Sequence, residues 1–286
     1  MKKDSGTHKV RRGVLGTIMN LILWIFSLSC IFPIVWMIYS SLKEKRAFNA
    51  DIIGLPKSPT LINYTRILSN SDYHLGASMW NSVRTTVLSI VLIVAFSFIV
   101  GYILSRIHFK LNRLIYVMFL MGMLIPIHSL LVPIYVVFKK CGLSNQWFTL
   151  LFPYVSFGLP MGIFLVEGYV KTVPVSLEEA AAIDGATPWE TLWKVKLPMV
   201  MPSITICVFL TLTNSFKLFD QNLALTGGDP NHMTEMMALN IYQTFYARAG
   251  AQWKGLGQSK AVLFCLLVIV ISMIQLKATR SKEVQQ

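Results

Sequence analysis

The 286-residue chain is 54% hydrophobic and only 14% charged, and its mean hydropathy is +0.58. Soluble globular chains carry about 25% charged residues, so this composition excludes an ordinary soluble protein and indicates an integral membrane protein. The net charge of +13 does not indicate nucleic-acid binding, because Lys and Arg are scattered between apolar runs and form no basic stripe. The excess of Lys and Arg over Asp and Glu is explained by contact with anionic headgroups of membrane lipid and by the usual enrichment of basic residues on the cytoplasmic side.

Six apolar stretches are long enough to cross a membrane as helices, which predicts an all-α, polytopic fold with six transmembrane helices. Prolines interrupt several of them, and Pro33 is expected to bend the first. The last stretch is short, so its helix should begin a few residues earlier. The predicted spans cover residues 14–39, 80–104, 114–138, 147–170, 201–219 and 261–276.

Six spans place both termini on one side of the membrane, and the higher density of Lys and Arg makes that side the cytoplasm. The predicted organisation is a cytoplasmic N-terminus (1–13), a six-helix membrane domain (14–276) and a cytoplasmic tail (277–286). Within the membrane domain, residues 171–199 form a cytoplasmic loop and residues 220–257 an extracytoplasmic loop.

Few residues suggest chemistry within this chain. The four cysteines have no CxxC or metal-ligand spacing, so neither a metal site nor a disulfide is predicted. A membrane-embedded enzyme would need His128 and Glu167 at one depth, but they are predicted near opposite ends of the membrane. We expect His128 to hydrogen-bond across a helix interface, and Glu167 to snorkel or to pair with Lys171.

A polar segment that still has the pattern of ordered structure lies between the fourth and fifth spans, at residues 176–202. Ser176 and Glu179 have the spacing of a capping box, and Gly185 suits the left-handed residue that ends a short helix. A second start signal, with a cap, a first-turn proline and a reciprocal glutamate, follows at Thr187, Pro188 and Glu190. The pattern predicts two short helices joined at a glycine.

Each of these two helices has a face that a partner would fit. The flat face of the first contains Leu177, Ala180, Ala181 and Asp184. The large apolar side of the second contains Trp189, Leu192, Trp193 and Val195. Apolar surface in a loop that faces water indicates a partner, but helices that lie on the membrane or pack on the protein's own spans explain it equally well.

The spacing of this segment resembles the EAA loop of binding-protein-dependent ABC importer permeases. The family pattern is Glu-Ala-Ala, three residues, Gly, nine residues, Ile, one residue, Leu-Pro, and here Val replaces Ile. The matching residues are Glu179, Ala180, Ala181, Gly185, Val195, Leu197 and Pro198.

Further motifs resemble the carbohydrate, MalG-type group of these permeases over nearly the whole chain. They are Pro33, Trp36, Ser40–Lys43, Asn63-Tyr64, Asn81-Ser82 and Ala180–Ala186. The stretch from Ser215 to Gly228 looks instead like the MalF-type partner permease.

The resemblance implies a type I ABC importer permease fold in a bacterial cytoplasmic membrane, with this chain forming half of the pathway. The implied partners are a second homologous permease subunit, an ABC ATPase dimer, an extracytoplasmic solute-binding protein and a sugar substrate. ATP and Mg would be bound by the ATPase, because the chain has no phosphate-binding loop of its own and is not expected to be an enzyme. The residues implied in ATPase coupling are Ser176, Glu179, Ala180, Ala181, Asp184, Gly185, Val195, Leu197 and Pro198. The alternative substrates are polyols, amino acids or peptides.

Two further groups are candidate functional residues at the outer side. A turn at Gly227, Gly228, Asp229 and Pro230 is expected either to contact the binding protein or to join a helix packed on the outer mouth. Asn214, Lys217 and Asp220 are candidate pathway-lining residues, although Lys217 has an alternative as an interfacial anchor.

Overall fold

The structure is a computed structural model that describes residues 5–247 and 254–280. Within these ranges the secondary structure is entirely helical. The longer helices are α1 (Ser5–Ser41), α4 (Leu75–Arg106), α5 (Asn112–Gly122), α6 (Ile127–Lys140), α7 (Leu151–Thr172), α10 (Leu197–Lys217) and α13 (Lys254–Arg280). The shorter ones are α2 (Lys45–Ala50), α3 (Ile62–Ser69), α8 (Ser176–Ile183), α9 (Pro188–Glu190), α11 (Asp220–Leu225) and α12 (Met237–Tyr242). One 3₁₀ turn and two π-helical segments lie at Ser71–Tyr73, Thr191–Lys196 and Gln243–Ala247.

Five of the predicted spans correspond to single helices that are long and apolar enough to cross a membrane. They cover Gly16–Ser41, Leu75–Arg106, Leu151–Thr172, Pro188–Lys217 and Lys254–Thr279. The last begins earlier than residue 261, as its short apolar stretch predicts. Pro33 lies inside α1.

The third predicted span is broken into α5 and α6, which are bent by 99° relative to each other. Pro126 is the residue before α6, in an extended conformation. Proline has no N–H to donate and disfavours the helical conformation of the residue before it, here Ile125, so the helix ends and restarts at this point. Counted as one span, the pair brings the total to six.

Among the described residues, one compact unit comprises 5–70, 244–247 and 254–262. Its centre is the backbone that follows α1, where the Asn63 Nδ2 atom donates to the carbonyls of Ser41 and Lys43, each at 2.9 Å. The hydroxyl of Ser259 also donates to Ser41 O, at 3.2 Å. The side chain of Lys43 is buried, and its ammonium donates to Asp51 O at 2.7 Å. The motif residues at 40–43 and 63 therefore hold this unit together.

The other unit comprises residues 71–243 and 263–280, and α4 packs on α7 at its centre. Small residues bring these helices together, since a Cβ atom at Gly162 would lie 2.1 Å from Ser97 Oγ, and one at Gly101 would lie 3.0 Å from Val166. Close approach at small residues is the usual packing of helices in membranes. A buried apolar cluster of Val166, Val170, Val200 and Ile204 adds α10 to the pair.

In the same unit, residues 218–242, here called the distal segment, fold against the N-terminal end of α4. Inside the segment, Asn222 Nδ2 donates to Thr234 O and Met236 N–H donates to Asn222 Oδ1, both at 2.9 Å. Asn81 Nδ2 donates to His232 O at 3.0 Å, and Ser82 Oγ accepts from Met237 N–H at 2.8 Å. The Asn81-Ser82 motif therefore fixes the distal segment to α4.

Candidate functional site

Ser176 does not form the predicted capping box. The residue before α8 is Val175, which already has helical backbone angles and no side-chain cap. The first turn begins at Pro174, whose carbonyl accepts from Leu177 N–H at 3.3 Å, while Val175 O accepts from Glu179 N–H at 3.2 Å. Proline is well suited to a first turn, so Ser176 lies inside the helix, where its hydroxyl has no cap position to fill.

The predicted end of α8 at Gly185 is confirmed. Gly185 has φ of +80°, the left-handed conformation that glycine adopts without strain. Ala186 N–H donates to Ala181 O at 3.0 Å and Gly185 N–H donates to Ala182 O at 3.1 Å, which together form a Schellman motif. Asp184 is the C-cap residue.

The second start signal is confirmed, but the short second helix is not. Thr187 Oγ1 accepts from Glu190 N–H at 3.2 Å, and Thr187 N–H donates to the Glu190 carboxylate at 3.1 Å, which is a complete capping box. The helix then continues without a break to Lys217, so the fifth span starts well before residue 201. Pro198 does not stop the helix, because the π-helical turns immediately before it widen the path where its ring would otherwise clash.

The EAA segment (Ser176–Pro198) has a large exposed apolar surface. The exposed fraction of Ile183 is 85%, that of Trp189 is 67% and that of Trp193 is 52%. The two indole rings contact each other edge to face, with centroids 5.6 Å apart. Glu179, Ala180, Asp184 and Gly185 are exposed as well, whereas Ala181, Val195, Leu197 and Pro198 are half-buried. Some of the candidate coupling residues are thus accessible to a partner, and the others lie half-buried beneath them.

The carboxylate of Glu178 anchors this segment, a role that the sequence motifs did not predict. It accepts from Tyr102 Oη at 2.6 Å and from Arg106 Nε at 3.2 Å, and it pairs with Lys196 Nζ at 3.2 Å. Burial alone would raise the pKa of Glu178. The hydrogen bonds from Tyr102 and Lys196 and the charges of Lys196 and Arg106 outweigh burial and lower this pKa, so the carboxylate is ionised at neutral pH.

Two of the three candidate pathway residues line one cavity. The cavity has a volume of about 330 Å³ and is lined by Asn214 and Lys217 of α10, by Phe157 and Met161 of α7, and by Gln221. The Oε1 atom of Gln221 is buried and has no hydrogen-bond partner in the part of the chain that is described. Asp220 is not among the lining residues.

The ionisable residues predicted inside the spans lie in separate pairs. Asp220 Oδ2 lies 3.8 Å from His128 Nδ1, so His128 contacts α11. Glu167 is buried and pairs with Lys171, as predicted. His128 and Glu167 therefore do not share a site, which removes the arrangement that a membrane-embedded enzyme would need.

The turn at Gly227–Pro230 is part of the packed distal segment. Gly227 and Gly228 have φ of +59° and +102°, and Gly228 is buried beside the Glu235 side chain. Thr234 Oγ1 donates to Asp229 O at 2.7 Å. Asp229 and Pro230 themselves are exposed. Within the turn, Gly227, Asp229 and Pro230 are thus open to a partner, and Gly228 is not.

Known proteins are similar to this chain in sequence and in fold. Residues 97–279 match the family described as binding-protein-dependent transport system inner membrane component. The trehalose/maltose transport system permease protein MalG of Thermococcus litoralis is 34% identical over 263 residues, which cover 92% of this chain and 91% of that protein. The multiple sugar-binding transport system permease protein MsmG of Streptococcus mutans is 28% identical over 279 residues, which cover 96% and 94%.

The fold also matches a crystal structure of a bacterial ABC transporter involved in the import of the acidic polysaccharide alginate. The TM-score is 0.78 and the identity 19%, over 97% of this chain and 99% of the other. The family match and the spans together define a membrane-embedded transport component.

The chain belongs to the family of binding-protein-dependent transport system inner membrane components, the permease subunits of ABC importers.

Proposed function

We propose that this permease imports sugars or oligosaccharides and that its EAA segment docks onto the ATPase subunit of the importer. The observation that carries the docking proposal is the exposed surface of the EAA segment, which includes three large apolar side chains, Ile183, Trp189 and Trp193. The Glu179 carboxylate is exposed as well and has no partner within residues 5–247 and 254–280. A large apolar patch with a polar rim is typical of a protein interface.

The sugar substrate is supported by the relatives that align along nearly the whole chain. The MalG relative is named for trehalose and maltose and the MsmG relative for multiple sugars. A polyol, amino-acid or peptide substrate is the competing proposal. Transport assays with a panel of radiolabelled solutes decide between them, since sugar uptake alone supports the first.

In the assembled importer, this chain would form half of the pathway beside a second homologous permease. An ABC ATPase dimer, which would bind ATP and Mg, would lie below, and an extracytoplasmic solute-binding protein would lie above. The proposed orientation has both termini in the cytoplasm, where the EAA segment meets the ATPase. In that orientation the exposed tip of the distal segment, Asp229 and Pro230, faces the binding protein. The cavity beside Asn214 and Lys217 then lies on the pathway side.

Closure of the ATPase dimer on ATP would move the EAA segment, and rigid helices would carry this motion into the membrane. Coupling of this kind shifts the protein between inward-open and outward-open states. The Schellman motif at Gly185 and the capping box at Thr187 fix the shape of the segment between α8 and α9. A fixed shape transmits the motion rather than absorbing it.

The docking proposal is tested by Glu179→Lys and Gly185→Asp in the complete importer, reconstituted in proteoliposomes. The Glu179 carboxylate has no hydrogen bond or ion pair in the described part of the chain, and a Cβ atom at Gly185 would meet no atom within 4 Å. The φ of +80° at Gly185 strains an Asp there, but this strain is confined to the end of α8, so membrane insertion should be unchanged. Uptake should fall by about fivefold or more, which is the lower end of ordinary coupling energies between sites. ATP hydrolysis should become independent of the binding protein. Asn49→Lys, at an exposed position of α2, is the control and should transport normally. Normal uptake by both test variants would contradict the docking proposal.

A further inference from the structure

Two adjacent carboxylates of α8 have opposite surroundings. The Glu178 side chain is 17% exposed and has three partners. The Glu179 side chain is exposed, and its carboxylate has no hydrogen bond or ion pair with any residue in 5–247 or 254–280. Consecutive residues of a helix point about 100° apart, so one faces the membrane helices and the other faces away from them.

The partners of Glu178 come from two membrane helices. Tyr102 and Arg106 lie on the last two turns of α4, and Lys196 lies at the end of the π-helical segment that leads into α10. The ammonium of Lys196 also lies 4.6 Å from the centroid of the Tyr102 ring. This cation–π contact joins the donor from α4 directly to the donor from the start of α10. A single carboxylate therefore joins α8 to α4 and to the start of α10.

A third helix is connected through Arg106. Its Nη2 atom donates to the carbonyl of Val173 at 2.7 Å, and Val173 is the C-cap residue of α7. The same guanidinium thus binds the chain just before α8 and the carboxylate inside α8. A planar guanidinium with several donors is suited to holding two acceptors in a fixed geometry.

Beyond this anchor, α8 also packs on the π-helical segment Thr191–Lys196, but most of its side chains are exposed. It is eight residues long, and Glu179, Ala180, Ala182 and Ile183 are exposed. A helix of this length is marginal by itself in water, so its orientation depends on tertiary contacts. The helices that Glu178 joins also line the cavity, at Ile93 of α4 and at Thr211 and Asn214 of α10. The anchor therefore lies between the exposed face of α8 and the cavity.

We propose that Glu178 is the positioning residue of the EAA segment, which holds α8 in a fixed orientation on α4 and α10 so that displacement of α8 moves both helices. The two carboxylates then have different roles. Glu178 binds this chain's own membrane helices, and Glu179 is available to bind the partner. This inference rests on the proposed function, because it gives the docking segment its mechanical connection to the membrane.

The test compares Glu178→Gln with Glu179→Gln, two neutralisations of neighbouring residues in one helix. Spin-labelled unnatural amino acids at Ile107 and Ile183, which are exposed, report the distance between the end of α4 and α8 in the purified full-length chain. Wild type and Glu179→Gln should give one narrow distance distribution. Glu178→Gln should give a broader one, because Arg106 and Lys196 lose their shared counter-charge.

The second readout is the amount of solute transported per ATP hydrolysed by the complete importer in proteoliposomes. Glu178→Gln should lower this ratio by about fivefold or more while ATP hydrolysis continues. A residue needed only for folding would lower transport and hydrolysis together. Tyr102→Phe removes one hydrogen bond and no charge, so it should lower the ratio less than Glu178→Gln does. If Glu178→Gln does not insert into the membrane, Tyr102→Phe is the variant that tests the proposal.

A wild-type distance distribution and a wild-type transport ratio in both Glu178→Gln and Tyr102→Phe would overturn the inference. A broadened distribution in Glu178→Gln, together with a wild-type chain that fails to bind any ATPase subunit, would uphold the anchor and refute the proposed docking. The two proposals can therefore fail separately.

Discussion

The two ends of α4 are built in opposite ways. At the Asn81 end, the distal segment is closed on itself and on α4 by buried amides, and Asn222 has no exposed surface. At the Arg106 end, the EAA segment keeps its large apolar side chains exposed and is attached through the carboxylate of Glu178. The same helix therefore supports one segment that is complete within the chain and one that is incomplete without a partner.

This difference indicates which of the two segments has a large surface available to bind another protein. A buried amide whose donor and acceptor are both hydrogen-bonded, as in Asn222, specifies a rigid local structure. The EAA segment combines exposed indole and aliphatic side chains with a carboxylate, Glu179, that has no partner in the described part of the chain, and this is the composition of an interface. The distal segment should therefore respond to mutation through stability, and the EAA segment through binding and coupling.

The largest stability effect is expected for Asn222→Ala in the distal segment. The change leaves the Met236 N–H and the Thr234 carbonyl buried without their partner, which should cost about 3 kcal/mol of unfolding free energy. Equilibrium unfolding in mixed detergent micelles measures it, with Asn49→Ala at an exposed position as the control. The affinity of the folded protein for the ATPase subunit should not change. A loss no larger than that of the control would show that the distal segment is not held by this network.

The opposite response is expected for Trp193→Ala in the EAA segment. More than half of this side chain is exposed, so the unfolding free energy should change by less than about 0.5 kcal/mol. Binding of the ATPase subunit should weaken by about 2 kcal/mol, the size of an interface hot spot. Affinity measurements in nanodiscs test it against Trp24→Ala, an exposed tryptophan of α1. Equal affinities for the two variants would count against an interface at Trp193.

The smallest effects distinguish the two predicted capping boxes of the EAA segment. Thr187→Ala removes a complete box and should destabilise the start of α9 by about 1 kcal/mol. Ser176→Ala removes no cap, so hydrogen exchange of the first amides of α8 should stay as in wild type. The assignment would be reversed by two results together. Hydrogen exchange would be faster at α8 in Ser176→Ala, and it would be unchanged at α9 in Thr187→Ala.

The spans, the glycine end of α8 and the second capping box could all be predicted, because each depends on neighbours close in the sequence. Hydropathy marks the spans, and Gly185 or Thr187 with Glu190 act within one turn of helix. The bend between α5 and α6 was predictable as a break at Pro126. Its angle of 99° was not, because tertiary packing sets it.

The anchor at Glu178 could not be found by local pattern. Its donors Tyr102 and Arg106 are 76 and 72 residues away in the sequence. The available signals were an unassigned glutamate beside Glu179 and a basic residue at the end of α4. The continuous helix through Pro198 was also missed, because a leucine-proline pair after a capped helix is typical of a helix end, and only the π-helical turns reveal that the helix continues.

The most direct test of the docking proposal is site-specific photo-crosslinking in the assembled importer. A photoreactive amino acid at Ile183, on the exposed face of α8, should cross-link to the ATPase subunit, and the yield should change when ATP is added. The same amino acid at Asn231, exposed in the distal segment at the other end of α4, should give no ATPase cross-link. Absence of the product at Ile183, or equal ATPase cross-linking from both positions, would contradict the account.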